Sequence, residues 1–517
     1  MSGGTPPGIG FARFVTYPVS RVPDKVAVID EKDRVTFAQM DEWSNRLARA
    51  FLRCGAQAGD RVALVLPNSI AFIVTEIAII KAGMVKVPLN YRFHPKEVAY
   101  ALADCEPAIV VCDAAYLARL APEGALPGSV KGIVAVGEAT GALSYDETIR
   151  QGDASPLSPL ARPDAPILIR YTGGTTGRAK GIVHTDSSLT NMHRDLISEF
   201  TIREWDVALH LGHLSHGSNF AWAAFYGMGA TQIVRERFDP KAVLKDIERF
   251  RVTFTYMVPT MLQRVLRDDD GRADVSSLTR VWVSSAPIPV PVIRQAIGRF
   301  GNIFSQAYTL SECPPVSTIL RPDEIVDKNT RFGPRIGSCG REALTQEIRL
   351  LDNDGNEVAD GEVGEIVIRS VNNMSEYWRL PDETRKTLVD GWLRTGDLAG
   401  RDEEGYLYIV DRKKDVIITG GFNVYPKEIE DVIYTHAGVA AVGVVGVPDE
   451  ELGETVVAYV VVRDGAKVAA DELIQLCREN LASYKKPRGI RFVSELPLTP
   501  VGKVSRRELR DLARRTV

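Results

Sequence analysis

Apolar residues recur along this chain in two alternating rhythms. Short continuous runs, of the kind buried strands need, are separated by stretches where apolar positions return every three or four residues. Thr36 and Gln39 form a capping box, and Phe37, Met40, Trp43, Leu47 and Phe51 then follow at helical spacing until Gly55 stops the run. Arg61 to Leu66 reads as a buried strand ended by Pro67, with another helix up to Gly83. The alternation continues with strands at 108–112, 132–136, 167–171, 253–258 and 280–284, and helices near 240–250, 260–268 and 290–299. Repeated β-α-β units predict an α/β fold of layered, largely parallel sheets.

After residue 345 the pattern changes. EIRLLDNDGNEV and GRDEEGYLYIVDR read as strand-turn-strand segments with glycine in the turns. Asp352, Asp354 and Asn356 invite a calcium loop, but Gly355 is misplaced for one and no glutamate closes it, so a hairpin turn is expected. Beyond the charged connector Asp411-Arg412-Lys413-Lys414-Asp415, helix 426–435, strands 439–447 and 455–463 and helix 471–481 predict a small α+β domain. The expected division is residues 1–411 and 412–517.

Composition narrows the class. Of 517 residues 45% are hydrophobic and 25% charged, with a net charge of −4, so no global basic field favours nucleic acid or an anionic membrane. Arg506, Arg507, Arg510, Arg514 and Arg515 interleave with Glu508 and Asp511, which reads as a solvated helix face. The six cysteines are scattered without a CxxC pair, as free thiols in a reducing compartment would be. The N-terminus lacks a signal-peptide pattern, and the apolar stretch Ala71 to Ala82 is broken by Glu76 and Lys81, so a cytoplasmic protein without a membrane span is expected.

The strongest chemical signal is ILIRYTGGTTGRAKGIVHT, residues 167–185. A strand runs into Thr172, Gly173, Gly174, Thr175, Thr176 and Gly177, followed by Lys180. Glycines let backbone N–H groups approach phosphate oxygens, threonine hydroxyls add donors and lysine adds charge. The spacing is not that of a Walker A loop.

YTGGTTGRAKG resembles the phosphate-loop signature of the adenylate-forming superfamily, which includes acyl- and aryl-CoA ligases, peptide-synthetase adenylation domains and beetle luciferases. Here Gly173 replaces a serine, and Arg178-Ala179 precede the lysine. Five further segments resemble family motifs in the same order. By that likeness, in AYTLSE (307–312) Tyr308 stacks on adenine, Ser311 lies near the α-phosphate and Glu312 binds Mg²⁺. Upstream, Ser284-Ser285-Ala286-Pro287 resembles the adenine-side turn, with serines for glycines. LRTGD (393–397) resembles the ribose-binding motif, where Asp397 can accept from both ribose hydroxyls. DRKKDVIITGGFNVYPKEIE (411–430) resembles the hinge signature, which implies that Arg412 touches ribose, Lys414 is the pivot, and Gly420 and Gly421 line the thiol's tunnel. PLTPVGKVSRREL (497–509) resembles the segment that presents the catalytic lysine, Lys503.

The resemblance, over essentially the whole chain, implies an ATP-dependent acid:CoA ligase of the acyl-/aryl-CoA branch, with ATP, Mg²⁺ and CoA. A carboxylate would first become an acyl-adenylate with release of pyrophosphate. The small domain would then rotate about Lys414, and a thiol would displace AMP. Tyr484, Lys486 and Arg488 would meet the nucleotide end of CoA. His216 aligns with the residue that gates the acyl pocket; a zinc site built from His210, His213 and His216 is not favoured, because HxxHxxH spreads its side chains along a strand with no cysteine nearby. Ser215-His216 stands where amino-acid-activating relatives place an aspartate. Thr309 in place of glycine, with Asn219, Phe220, Tyr256 and Ser284, points to a compact, partly polar pocket for an aryl, arylacrylic or short-to-medium acyl acid. A carrier protein or amine as acceptor, or an unusual oxyanion as substrate, stays open, and a homodimer is one option for assembly.

Overall fold

The computed structural model describes residues 10–120, 122, 124, 126–157, 162–172, 179–326, 328–499 and 504–514, without the side chains of Ser218 and Arg514. Two large sheets carry most of the chain. In the first, Val85–Pro88, Arg61–Val65, Ile109–Asp113 and Gly132–Val136 run parallel. In the second, Val26–Ile29, Thr231–Val234, Val207–His210, Phe254–Met257, Arg280–Val283 and Phe304–Tyr308 do so. These strands are continuous runs of Val, Ile, Leu and aromatic residues, as strands covered on both faces require. Helices Ile70–Lys81 and Gly217–Gly227 are apolar nearly all round and share one core with residues of both sheets. Thr36 accepts the Gln39 N–H while the Gln39 side chain returns to the Thr36 N–H, so the expected capping box forms.

The apolar stretch around Ala71 is this buried helix, and its two charges are paired. Lys81 bonds Asp41, and Glu76 meets Lys86 and accepts from the Asn219 amide. Among the described residues no helix is long and apolar enough to cross a membrane.

The later chain is antiparallel. Gln346–Leu351, Val363–Ser370, Trp392–Arg401, Leu388–Val389 and Leu407–Arg412 form one sheet. The expected hairpin turn within 347–358 forms, with a second arm that is only a single bridge. Asp352 Oδ1 accepts the N–H groups of Asp354 and Asn356, Glu357 makes a single bridge to Leu351, and the strand that pairs with Gln346–Leu351 starts only at Val363. A second turn through Gly361, at φ +84°, delays it. Sheet membership then changes. Ile417–Thr419, Phe422–Val424, Val439–Asp449, Gly453–Val462 and Gly489–Phe492 form a separate sheet with helices Pro426–Tyr434, Ala470–Asn480 and Arg506–Arg514.

Candidate functional site

The segment Tyr308 to Glu312, which leaves the strand Phe304–Tyr308, touches elements from four distant parts of the sequence. At its start the Tyr308 hydroxyl donates to Asp397 Oδ2 at 2.7 Å, and Asp397 Oδ1 lies 3.2 Å from Arg412 Nε. Antiparallel register makes this meeting obligatory, because Asp397 and Arg412 face each other across the pair Trp392–Arg401 and Leu407–Arg412. Asp397 is buried, and burial together with its charge pushes the Tyr308 phenol well above its ordinary range, so Tyr308 stays a donor. Thr395 Oγ1 accepts the Asp397 N–H, and Gly396, at φ +70°, makes the bend between them.

At its end, Glu312 Oε1 accepts from the Tyr377 hydroxyl at 2.9 Å. The ammonium of Lys180 lies 4.9 Å from the Tyr377 ring centre and 2.7 Å from Glu383 Oε2. Lys180 opens the strand Lys180–Thr185, opposite Thr172 in the hairpin. In the middle, His184 Nε2 donates to the Ser311 carbonyl at 2.8 Å. Burial lowers the His184 pKa to about 4, which keeps the ring neutral at physiological pH.

Thr172, Lys180, Tyr308, Ser311, Glu312, Asp397 and Arg412 therefore belong to one bonded neighbourhood, whereas Gly173, Gly174, Thr175, Thr176, Gly177 and Lys503 lie outside the described residues. The flanks of Lys503 are fixed: Leu498 bridges Val504, and the Ser505 N–H bonds the Pro497 carbonyl. Arg506 meets Asp411, Glu430 and Asp415, and Arg510 bonds Asp415 at 2.8 Å. This corrects the solvated-face reading for those two arginines. One helical turn apart, they flank the buried Leu509 and meet the acidic connector.

The three histidines do not lie along one strand, which corrects that expectation. His210 ends its strand and bonds Gln232, His213 follows in the next turn, and His216 caps helix Gly217–Gly227. His216 packs edge-on to Phe93 and bonds the Ser215 hydroxyl. Beside it, a Cβ on Gly217 would come within 2.9 Å of the Tyr256 hydroxyl, which is 2.6 Å from Ser285 Oγ. Ser285 has φ +77°, a conformation that suits glycine, and the Tyr256 bond helps to hold it there. Ala286 and Pro287 continue that turn at the surface. The hydroxyls of Ser284 and Thr309 are buried without a partner among the described residues. Asn219 is fully engaged, accepting from Arg170 and donating to Glu76, while the Arg170 guanidinium stacks 3.7 Å from the Phe220 ring centre.

In the small sheet, Gly420 and Gly421 form the two-residue turn between Ile417–Thr419 and Phe422–Val424, with φ +55° and +81°. Phe422 stacks on Tyr484 at 4.6 Å, and both rings are exposed. Lys486 follows in that loop, and Arg488 lies 3.9 Å from Asp449. Lys414 lies in a short helical turn, Lys413–Asp415, between the two sheets.

Sequence reading missed Tyr377, Glu383 and His184. None stands in a conspicuous motif; they arrive because Glu376–Tyr377 pairs with Lys180–Thr185 and carries helix Pro381–Thr387 with it.

The family described as AMP-binding enzyme matches residues 16–378, and its C-terminal domain matches residues 428–503. A feruloyl-CoA synthase of Amycolatopsis sp is 35% identical over 96% of this chain and 98% of its own. The medium/long-chain-fatty-acid–CoA ligase FadD8 of Mycobacterium tuberculosis is 36% identical over 92% of this chain and 85% of its own. The anthranilate CoA ligase AuaEII, solved with anthranoyl-AMP, superposes with a TM-score of 0.91 at 25% identity, covering 98% of each chain.

Proposed function

The chain belongs to the AMP-binding enzyme family, and on that premise we propose that it is an ATP-dependent acid:CoA ligase acting on a small aryl, arylacrylic or short-to-medium acyl acid. One observation carries the reading. The Tyr308–Glu312 segment joins a ribose-type pair, Asp397 and Arg412, to a phosphate-type group, Lys180, through the Tyr377 ring.

In the first half-reaction a carboxylate oxygen attacks the α-phosphorus in line, the bond to the bridging oxygen breaks and pyrophosphate leaves with its electrons. Asp397 accepts from the ribose hydroxyls, Tyr308 and Arg412 hold that carboxylate in place, and Lys180 meets the β- and γ-phosphates. Lys503 supplies charge where the phosphoryl oxygens become more negative. The donor set also fits magnesium. Among the described residues no three His, Cys, Asp or Glu side chains gather as a metal cage, and Glu312 offers one carboxylate. Magnesium is ordinarily held by one or two carboxylates together with nucleotide phosphates and water. When bound, it would neutralise phosphate charge beside Glu312.

In the second half-reaction the small domain, residues 412–517, turns about Lys414 and withdraws Lys503. The CoA sulfur attacks the acyl carbon past Gly420 and Gly421, the carbon–oxygen bond to phosphate breaks, AMP leaves, and the thiol proton passes to solvent. The exposed Phe422–Tyr484 stack, with Lys486 and Arg488 following it, suits an adenine and a phosphate. Relatives act on both an aromatic and a fatty acid by name, and the pocket residues here support a compact acid. Tyr256 closes against Gly217, Thr309 occupies the floor, and the unpartnered Ser284 and Thr309 hydroxyls favour a compact acid with a polar substituent.

Half-reaction kinetics of Lys503→Ala test the assignment. Adenylation should fall by about two to three orders of magnitude, as for loss of one transition-state charge contact. Thioester formation from supplied acyl-adenylate should stay near wild type. Equal loss in both halves would remove Lys503 from the first step.

A further inference from the structure

Lys180 is the one phosphate-loop cation within the described residues, and its ammonium is already engaged. Glu383 Oε2 takes it at 2.7 Å, and the Tyr377 ring lies beneath it. Glu383 is itself fixed: Lys386 bonds its other oxygen at 3.0 Å, and the helix that carries it is tied back by the Tyr377 N–H on Thr384 Oγ1. These two lysines hold the Glu383 carboxyl down to about 2, so it is charged at any working pH.

A phosphate chain arriving at Lys180 therefore meets a fixed carboxylate that already holds the same ammonium. Two anions on one lysine repel, and each must give up part of the contact. We propose that Glu383 is the built-in competitor for Lys180, a positioning residue that weakens the hold on the β- and γ-phosphates. It thereby eases the departure of pyrophosphate after adenylation. This rests on the nucleotide-site reading above and adds a residue to it. Lys180 alternates between two anionic partners, and Tyr377, which also donates to Glu312, keeps it beside the phosphate path in either case.

Chemistry specifies which ligands should respond. ATP and pyrophosphate carry the phosphates that Lys180 meets, whereas AMP does not. Titration calorimetry of the full chain with ATP, pyrophosphate and AMP, for wild type and Glu383→Gln, reads the difference without turnover. Glutamine keeps the shape and a hydrogen bond while removing the charge. Glu383 is over a third exposed, so the melting temperature should hold and confirm folding.

The dissociation constants for pyrophosphate and ATP should fall about two- to fivefold, the range of a partly exposed ion pair. The constant for AMP should not move. In a Lys180→Met background the Glu383→Gln effect should vanish. Equal pyrophosphate constants in wild type and variant, or weaker binding by the variant, overturn the competitor role alone. A wild-type chain that binds neither ATP nor pyrophosphate overturns it together with the nucleotide-site reading.

Discussion

Asp397 shows how much one residue organises. Its carboxylate is buried, takes the Tyr308 hydroxyl on one oxygen and faces Arg412 with the other. Hydrogen bonds to charged groups are worth about 1.5–3 kcal/mol. Asp397→Asn should therefore raise KM for ATP about ten- to hundredfold. The same variant should lose discrimination between ATP and 2′-deoxy-ATP, which wild type should show; an equal deoxy penalty in both would detach Asp397 from the ribose. Asp397 and Glu312 are readable from sequence because each stands in an ordered motif. Glu383 is not, because its meaning depends on a side chain 203 positions away.

At the scale of elements, the turns carry the information. Gly420-Gly421 needs left-handed backbone at both positions, and no heavy atom lies within 4 Å of a Cβ at Gly421. Space at Gly421 is thus open, and the cost of a side chain is conformational, about 1–2 kcal/mol. Gly421→Leu should leave the first half-reaction largely intact and slow thioester formation by tenfold or more. An unchanged second half would take the turn off the thiol's path. Strand and helix positions were legible wherever apolar periodicity was clean, as at Gly132–Val136 and Pro240–Phe250. They were not legible where polar side chains redirect the chain. The Asp352 carboxylate and Gly361 delay a strand to Val363, and the short edge strand Glu376–Tyr377 has too few residues for a period. Arg506 and Arg510 look like surface charge in sequence, because the acids that hold them precede them by 76 to 95 positions.

For the whole molecule, three buried histidines and the half-buried His213 couple stability to pH. Burial holds His184, His210 and His213 at about 4 and His193 at about 3, against 6.5 unfolded. The unfolded chain then binds more protons throughout the interval between these values. Stability is complete above pH 6.5 and is lost as pH falls toward 4, with a slope of up to about 1.4 kcal/mol per unit for each histidine. Urea midpoints should stay level from pH 8 to 7 and fall steadily from 6.5 to 5, above the range where most carboxylates titrate. A flat profile from 7 to 5 would mean that these rings are protonated in the fold. The broad architecture was legible because β-α-β repetition dictates parallel layers. The meeting of the two halves of the site was legible only through motif order, since the contacts that join them lie 65 to 197 residues apart. The central claim is that one nucleotide spans the Lys180 and Asp397 ends of this neighbourhood so that an acid can be adenylated there. Pyrophosphate release measured over a panel of aryl, arylacrylic and acyl acids, with and without CoA, tests it most directly. The account predicts acid-dependent release, with matching AMP and thioester only when CoA is present; ATP binding with no acid-dependent release would contradict it.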